Sequence, residues 1–183
     1  MSDHIFRNQQ SYDFWEECQA RIPALCSEIA LEILCTLDAL GHTTSVRSRY
    51  DPRGEYALQG NTSLLEHSIH VTQICLSLSD DLIVRNLAVV AGLGHDLGKL
   101  ELVHRGEYTA VMHAHWGAEH VSRLIGGRLV DRQTEAIVNA IRNHHIVGKG
   151  AVHRVLRMAD ALARGRELQS AMNRIVESKG GRK

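Results

Sequence analysis

Histidine and aspartate recur along this chain in a pattern suited to holding metal. His67 stands in Leu64-Leu65-Glu66-His67-Ser68, and the pentapeptide His95-Asp96-Leu97-Gly98-Lys99 follows. Further on come His113, the doublet His144-His145, and Asp160 in Met158-Ala159-Asp160-Ala161. Imidazole nitrogen and carboxylate oxygen are the donors a borderline divalent cation prefers. The adjacent His95 and Asp96 offer one ion two different ligands from one point on the backbone. Such groups on Leu- and Ala-rich segments cost solvation energy unless they bind something. The run Val155-Leu156-Arg157-Met158-Ala159-Asp160-Ala161-Leu162 shows this most plainly. Twelve histidines are many for 183 residues. His4, His42, His104 and His153 fall outside the pattern and are read as surface side chains.

The elements that must position these residues read as helices. Ile22, Leu25, Cys26, Ile29, Ile33, Leu34 and Leu37 follow helical spacing, which predicts a helix from about Ser11 to Leu40, stopped by Gly41. Residues 41–62, with Pro52, Gly54, Gly60 and Asn61, read as a loop or linker. Asn61, Thr62 or Ser63 can cap the next helix, and Glu66 three residues after Ser63 completes a capping box. That helix is expected to reach about Ser79 with His67 in its first turns. Asp80 or Asp81 caps another, ending near His95-Asp96 with a sharp exit at Gly98. A connection spans 99–110. Helices follow from about His113 to Ile125, from about Asp131 to His144-His145, and from about Val152 to Arg164. The fold expected is all-α, and a helical bundle can gather side chains from several helices at its centre. The chain divides into an N-terminal helical segment and linker (1–60), a metal-binding domain (61–165) and a basic C-terminal tail (166–183).

Composition narrows the class. Apolar residues make up 44% and aromatics 4%, so Leu, Ile, Val and Ala must fill the core. Two prolines, Pro23 and Pro52, favour long helices. Formal net charge is zero, which argues against nucleic-acid binding over the whole surface. From Lys149 onward, however, nine Lys or Arg stand against Asp160, Glu167 and Glu177. A basic flank beside a metal site would attract a phosphate-bearing substrate, and the same charges would equally suit a solvated helix and frayed end. Cys18, Cys26, Cys35 and Cys75 form no CxxC pair and read as buried free thiols in a reducing compartment. No signal peptide or membrane-spanning run is visible, so a cytoplasmic location is expected.

The order His, His-Asp, His, His-His, Asp resembles the HD-domain phosphohydrolase superfamily in its two-metal version, over roughly residues 61–165. The resemblance implies an HD-type helical bundle, with an additional helical segment before it. It implies that His67, His95, Asp96 and Asp160 hold a first metal, that Asp96 bridges to a second, and that His113, His144 and His145 complete the second. His115 and His120 compete with His113; His113 is preferred because His113-x-x-x-Gly117 looks like the corresponding segment of such enzymes. Asp96 and Lys99 are the catalytic candidates, with Lys99 expected on the substrate phosphate. His70, His115 and His120 are candidates for orienting a ligand or binding substrate. The cofactor expected is one or two divalent transition metals: Mn, Fe, Ni, Co or Zn.

The stretch Gly60–Ser68 looks like HD domains of a 3′-5′ exoribonuclease and of MobH-type relaxases, and Leu100-Glu101-Leu102 and Tyr108-Thr109 fit the exoribonuclease type. Ala140-Ile141-Arg142-Asn143-His144 with Gly148 looks like dinucleoside-tetraphosphate hydrolases. Ile146-Val147-Gly148 lacks the Gly-Tyr-Pro signature of cyclic-dinucleotide phosphodiesterases. The function implied is metal-dependent cleavage of a phosphoester or phosphoanhydride in a nucleotide or nucleic-acid end, and His70 or His115 could protonate the leaving oxygen. A weakly catalytic binding or regulatory module and a di-iron oxygenase are the competing readings. The N-terminal helix could also pair two copies of the chain.

Overall fold

The computed structural model describes residues 5–46, 58–105 and 110–180. His4, Pro52, Gly54, Tyr108 and Thr109 lie outside the described residues, as do 181–183 of the basic tail.

The expected single N-terminal helix is two. Helix α1 (Gln9–Cys18) buries Ser11, Phe14, Trp15 and Cys18, one stripe at helical spacing. A 3-10 turn (Gln19–Arg21) follows, and Ile22 is extended at φ −127° and ψ 148°. The ring of Pro23 clashes with a helical Ile22, and this breaks the run. Helix α2 (Ala24–Leu40) then buries Cys26, Ile29, Ala30, Ile33, Leu34 and Leu37. Its cysteine and leucine face therefore packs into the core of its own chain. Buried Asp38, also on α2, accepts from the amides of Arg7 and Asn8 and from the Ser11 hydroxyl. No side chain of its own caps α1, so Asp38 satisfies that N-terminus from the neighbouring helix.

The ends of the 47–57 connection are pinned together. The Ser45 amide donates to the Thr62 carbonyl and the Leu64 amide to the Thr43 carbonyl, both at 2.9 Å. Helix α3 (Leu64–Ser77) starts as expected, with the Ser63 hydroxyl accepting from the Glu66 amide. Helix α4 (Leu82–Gly94) is capped by Asp81, which accepts from Ile83 and Val84. Every residue from Asn86 to Gly94 is buried, because α4 packs against α2 and α3 and against two later helices. A 3-10 turn (Leu97–Lys99) carries the chain out of the His-Asp pair.

Helix α5 (Ala110–Ile125) begins three residues earlier than the sequence suggests and ends at Gly126 and Gly127, both at positive φ. Helix α6 is Asp131–Arg142 and α7 is Ala151–Gly180. Helix α7 corrects the expected end near Arg164: part of the anticipated basic tail continues as helix and still packs, with Glu167 and Ala171 buried. His153, read as a surface residue, is also buried, its Nε2 donating to the Asn143 carbonyl at 3.0 Å. Cys18, Cys26 and Cys75 are buried free thiols and Cys35 is half-buried. No strand occurs among the described residues; Thr44 and Ser63 form an isolated bridge. No described helix is long and apolar enough to cross a membrane.

Candidate metal centre

Asp96 sits at the middle, 1% exposed. Its Oδ2 faces His95 Nε2 at 3.3 Å and His67 Nε2 at 3.9 Å. Its Oδ1 faces His113 Nε2 at 3.2 Å and His144 Nε2 at 3.8 Å. Each carboxylate oxygen thus looks at its own pair of histidines. Asp160 Oδ1 lies 3.1 Å from His67 Nε2, and His145 Nε2 lies 3.0 Å from His113 Nε2. All seven candidate ligands are brought together from α3, α5, α7 and the exits of α4 and α6. Three sets have ligand atoms within 4.8 Å of one another: His67, His95 and Asp96; His95, His144 and Asp160; and His113, His144 and His145.

Glycine makes the convergence possible. A Cβ on Gly98 would fall 1.9 Å from the His113 carbonyl oxygen and 2.9 Å from the Gly117 nitrogen, both backbone atoms. Only glycine lets the turn after Asp96 lie directly on α5 and bring His113 to the carboxylate.

The donor set fits a divalent metal. His95 Nδ1 donates to the Gly92 carbonyl at 2.8 Å, and His144 Nδ1 to the Ile141 carbonyl at 2.6 Å. His67 Nδ1 bonds Glu167 Oε1 at 2.8 Å. With Nδ1 engaged in this way, the three Nε2 atoms face inward toward Asp96 and Asp160. Nε2 of His95 and of His144 is buried with no hydrogen-bond partner among the described residues. An orphaned buried polar atom costs about 1–3 kcal/mol, and a cation between these groups removes that cost. Burial pushes the His144 imidazole down to about 3, so it is a neutral donor at ordinary pH. Burial likewise lowers His145. Burial opposes charge on Asp96, yet the Lys99 ammonium and His95 outweigh it and hold the carboxyl well below the usual range. Asp160 is lowered in the same way, with burial opposed by its bond to His67 and the nearby His95.

The remaining candidates fall in different places. Lys99 is buried, its Nζ donating to Asp96 Oδ2 at 2.5 Å and to the Ser45 carbonyl at 2.9 Å. His70 Nδ1 lies 3.2 Å from Glu167 Oε1, behind the carboxylate that holds His67. His115 pairs with Glu119 Oε1 at 3.0 Å on an exposed face, because two residues past His113 is about 200° around the helix. His120 is half-buried and lies about two turns along α5 from His113. Neither His115 nor His120 joins the clustered ligand atoms.

Sequence reasoning missed three residues here. Glu167 is 5% exposed and orients His67. Arg164 reaches Glu167 at 3.2 Å and lies 3.7 Å from Asp96 Oδ2. Ser45 is fully buried and bonds both Lys99 and Arg164. The spacing 160, 164, 167 lies on one face of a helix, but ending that helix at Arg164 hid it. Nothing in the sequence around Ser45 marks it.

A family model described as HD domain matches residues 64–175, more than half the chain. No curated protein and no solved structure matches it.

Proposed function

The chain belongs to the HD-domain family, and from that premise and the geometry of Asp96 we propose that it is a divalent-metal-dependent phosphohydrolase. The single observation that carries the reading is the carboxylate with a separate histidine pair near each oxygen, so that Asp96 and these four histidines would hold divalent metal between them. A divalent metal bound there would supply Lewis acidity toward a phosphoryl oxygen and would lower the pKa of water from about 16 toward about 7. The proposed metals are Mn, Fe, Ni, Co or Zn, which suit mixed imidazole and carboxylate ligation. The proposed substrate is a phosphoester or phosphoanhydride of a nucleotide or nucleic-acid end.

The chain's own residues supply the rest. Asp96 presents both oxygens from one rigid turn, so the geometry is set before substrate arrives. Glu167 keeps a proton on His67 Nδ1 and the ring at a fixed angle. Lys99 holds a positive charge beside Asp96, where charge builds on phosphoryl oxygens as the bond to the leaving group breaks. Full burial of His67, His95 and His144 keeps bulk water from screening these charges.

The test is turnover of bis-(p-nitrophenyl) phosphate and a nucleotide panel with Mn added, comparing the wild type with Asp96→Ala. The substitution is expected to remove both bound metal and hydrolysis. Hydrolysis that survives in Asp96→Ala would sink the reading.

A further inference from the structure

We propose that Arg164 is a phosphoryl-binding residue of this centre and that Ser45 aims it. The proposal rests on the hydrolase reading and extends it to a residue pair that no part of that reading uses. Arg164 stands one turn after Asp160 on α7, its side chain 22% exposed. A guanidinium carries five N–H donors in a planar fork. Here the edge formed by Nη1 and Nη2 is taken. Nη1 donates to Ser45 Oγ at 2.8 Å and to Glu167 Oε2 at 3.2 Å, and Nη2 donates to the Ser45 carbonyl at 3.3 Å.

The edge formed by Nε and Nη2 makes no hydrogen bond among the described residues, only long ion pairs to Asp96 and Asp160. It faces the metal carboxylates beyond hydrogen-bond reach, with Nη2 3.7 Å from Asp96 Oδ2 and Nε 4.0 Å from Asp160 Oδ1. Two parallel N–H groups on one guanidinium edge match two oxygens of a single phosphoryl group. Pinned at its far edge, the guanidinium turns this fork toward Asp96 and Asp160, the carboxylates beside which a metal-bound phosphoryl group would sit.

Ser45 lies before residue 64, outside the stretch that matches the family. Its carbonyl accepts from Lys99 as well as from Arg164, so one buried peptide sets both cations of the site. The pinning of this segment to Thr62 and Leu64 fixes that peptide. The segment preceding the family match is therefore a working part of the centre. If Arg164 acted only as a positive charge beside Glu167 and Asp160, a lysine in its place would keep phosphate affinity near that of the wild type.

The experiment measures metal content by mass spectrometry and inorganic phosphate affinity by calorimetry on Mn-loaded full-length protein. Wild type, Arg164→Gln, Arg164→Lys and Ser45→Ala are compared. Metal content is expected to be unchanged throughout. Phosphate affinity is expected to fall about tenfold or more in Arg164→Gln, because a charge-assisted pair of bonds is lost. Arg164→Lys should recover little of it, since an ammonium is a point charge without the fork. Ser45→Ala should fall between, because the backbone carbonyl remains. An Arg164→Gln protein that keeps its metal and binds phosphate like the wild type overturns the proposal. If Arg164→Gln fails to fold by circular dichroism, Ser45→Ala decides, and unchanged phosphate affinity there overturns it. A wild type that binds phosphate through Arg164 yet hydrolyses no phosphoester would fail the hydrolase reading while upholding this one.

Discussion

Glu167 supports a candidate metal ligand without being one. It bonds His67 Nδ1 at 2.8 Å and is held in turn by Arg164. Carboxylates in this position fix both the tautomer and the ring of a ligating histidine, and removing them costs about 10–100-fold in metal affinity. Glu167→Ala is expected to show a loss of that size when the protein competes with a chelator for Mn. Affinity equal to the wild type would mean that His67 needs no such support. At this scale the sequence was largely legible. His67, His95, Asp96, His144, His145 and Asp160 were marked by residue type and spacing, His113 was preferred over His115 and His120 by the resemblance, and the seven side chains lie close together. Lys99 was marked too, and it lies against Asp96. What could not be read were partners distant in sequence. The bond from Arg164 to Ser45 spans 119 residues, and no local pattern encodes it.

Elements were legible where their ends carry chemistry. Ser63 and Asp81 cap the helices expected of them. The run through Pro23 was misread because apolar spacing continues across the break, while the proline acts on the residue before it. The end of α7 was misread because its last turns are mostly exposed and charged, leaving a weak apolar stripe. Gly98→Ala places a Cβ against the His113 carbonyl, where no side-chain rotation relieves the contact. Forced overpacking costs about 1–3 kcal/mol or more, and about 1 kcal/mol lowers Tm by roughly 2–4 °C at this size. A Gly98→Ala protein melting with the wild type would refute the close approach of the turn to α5. Asp38 on α2 ties down the start of α1 through the amides of Arg7 and Asn8. Burial pushes its carboxyl up, but bonds from Ser11, Arg7 and Asn8 outweigh it and lower it below the usual value. A group lowered by folding stabilises the fold above its unfolded pKa of about 3.9 and loses that contribution as pH falls through the folded value. Asp38→Asn should therefore melt below the wild type at pH 7, with the gap closing below about pH 4. A gap independent of pH would show that charge on Asp38 does not hold α1.

At the scale of the whole molecule, one feature organises the rest. The central helix α4, buried on every side from Asn86 to Gly94, delivers His95 and Asp96 to the middle of the bundle, where α3, α5, α6 and α7 bring the remaining donors. The all-α class was legible because the apolar spacing is helical and no strand pattern competes, and the HD-type bundle because the order of His and Asp residues resembles that family. The role of residues 41–46 was not, since it depends on how the first two helices dock. The measurement that tests the account most directly is metal content by inductively coupled plasma mass spectrometry on protein purified without chelator and then reconstituted. The expected result is two divalent transition metals per chain, falling to none in Asp96→Ala. A single metal would contradict the bridging role of Asp96, and no metal after reconstitution would contradict the metal centre itself.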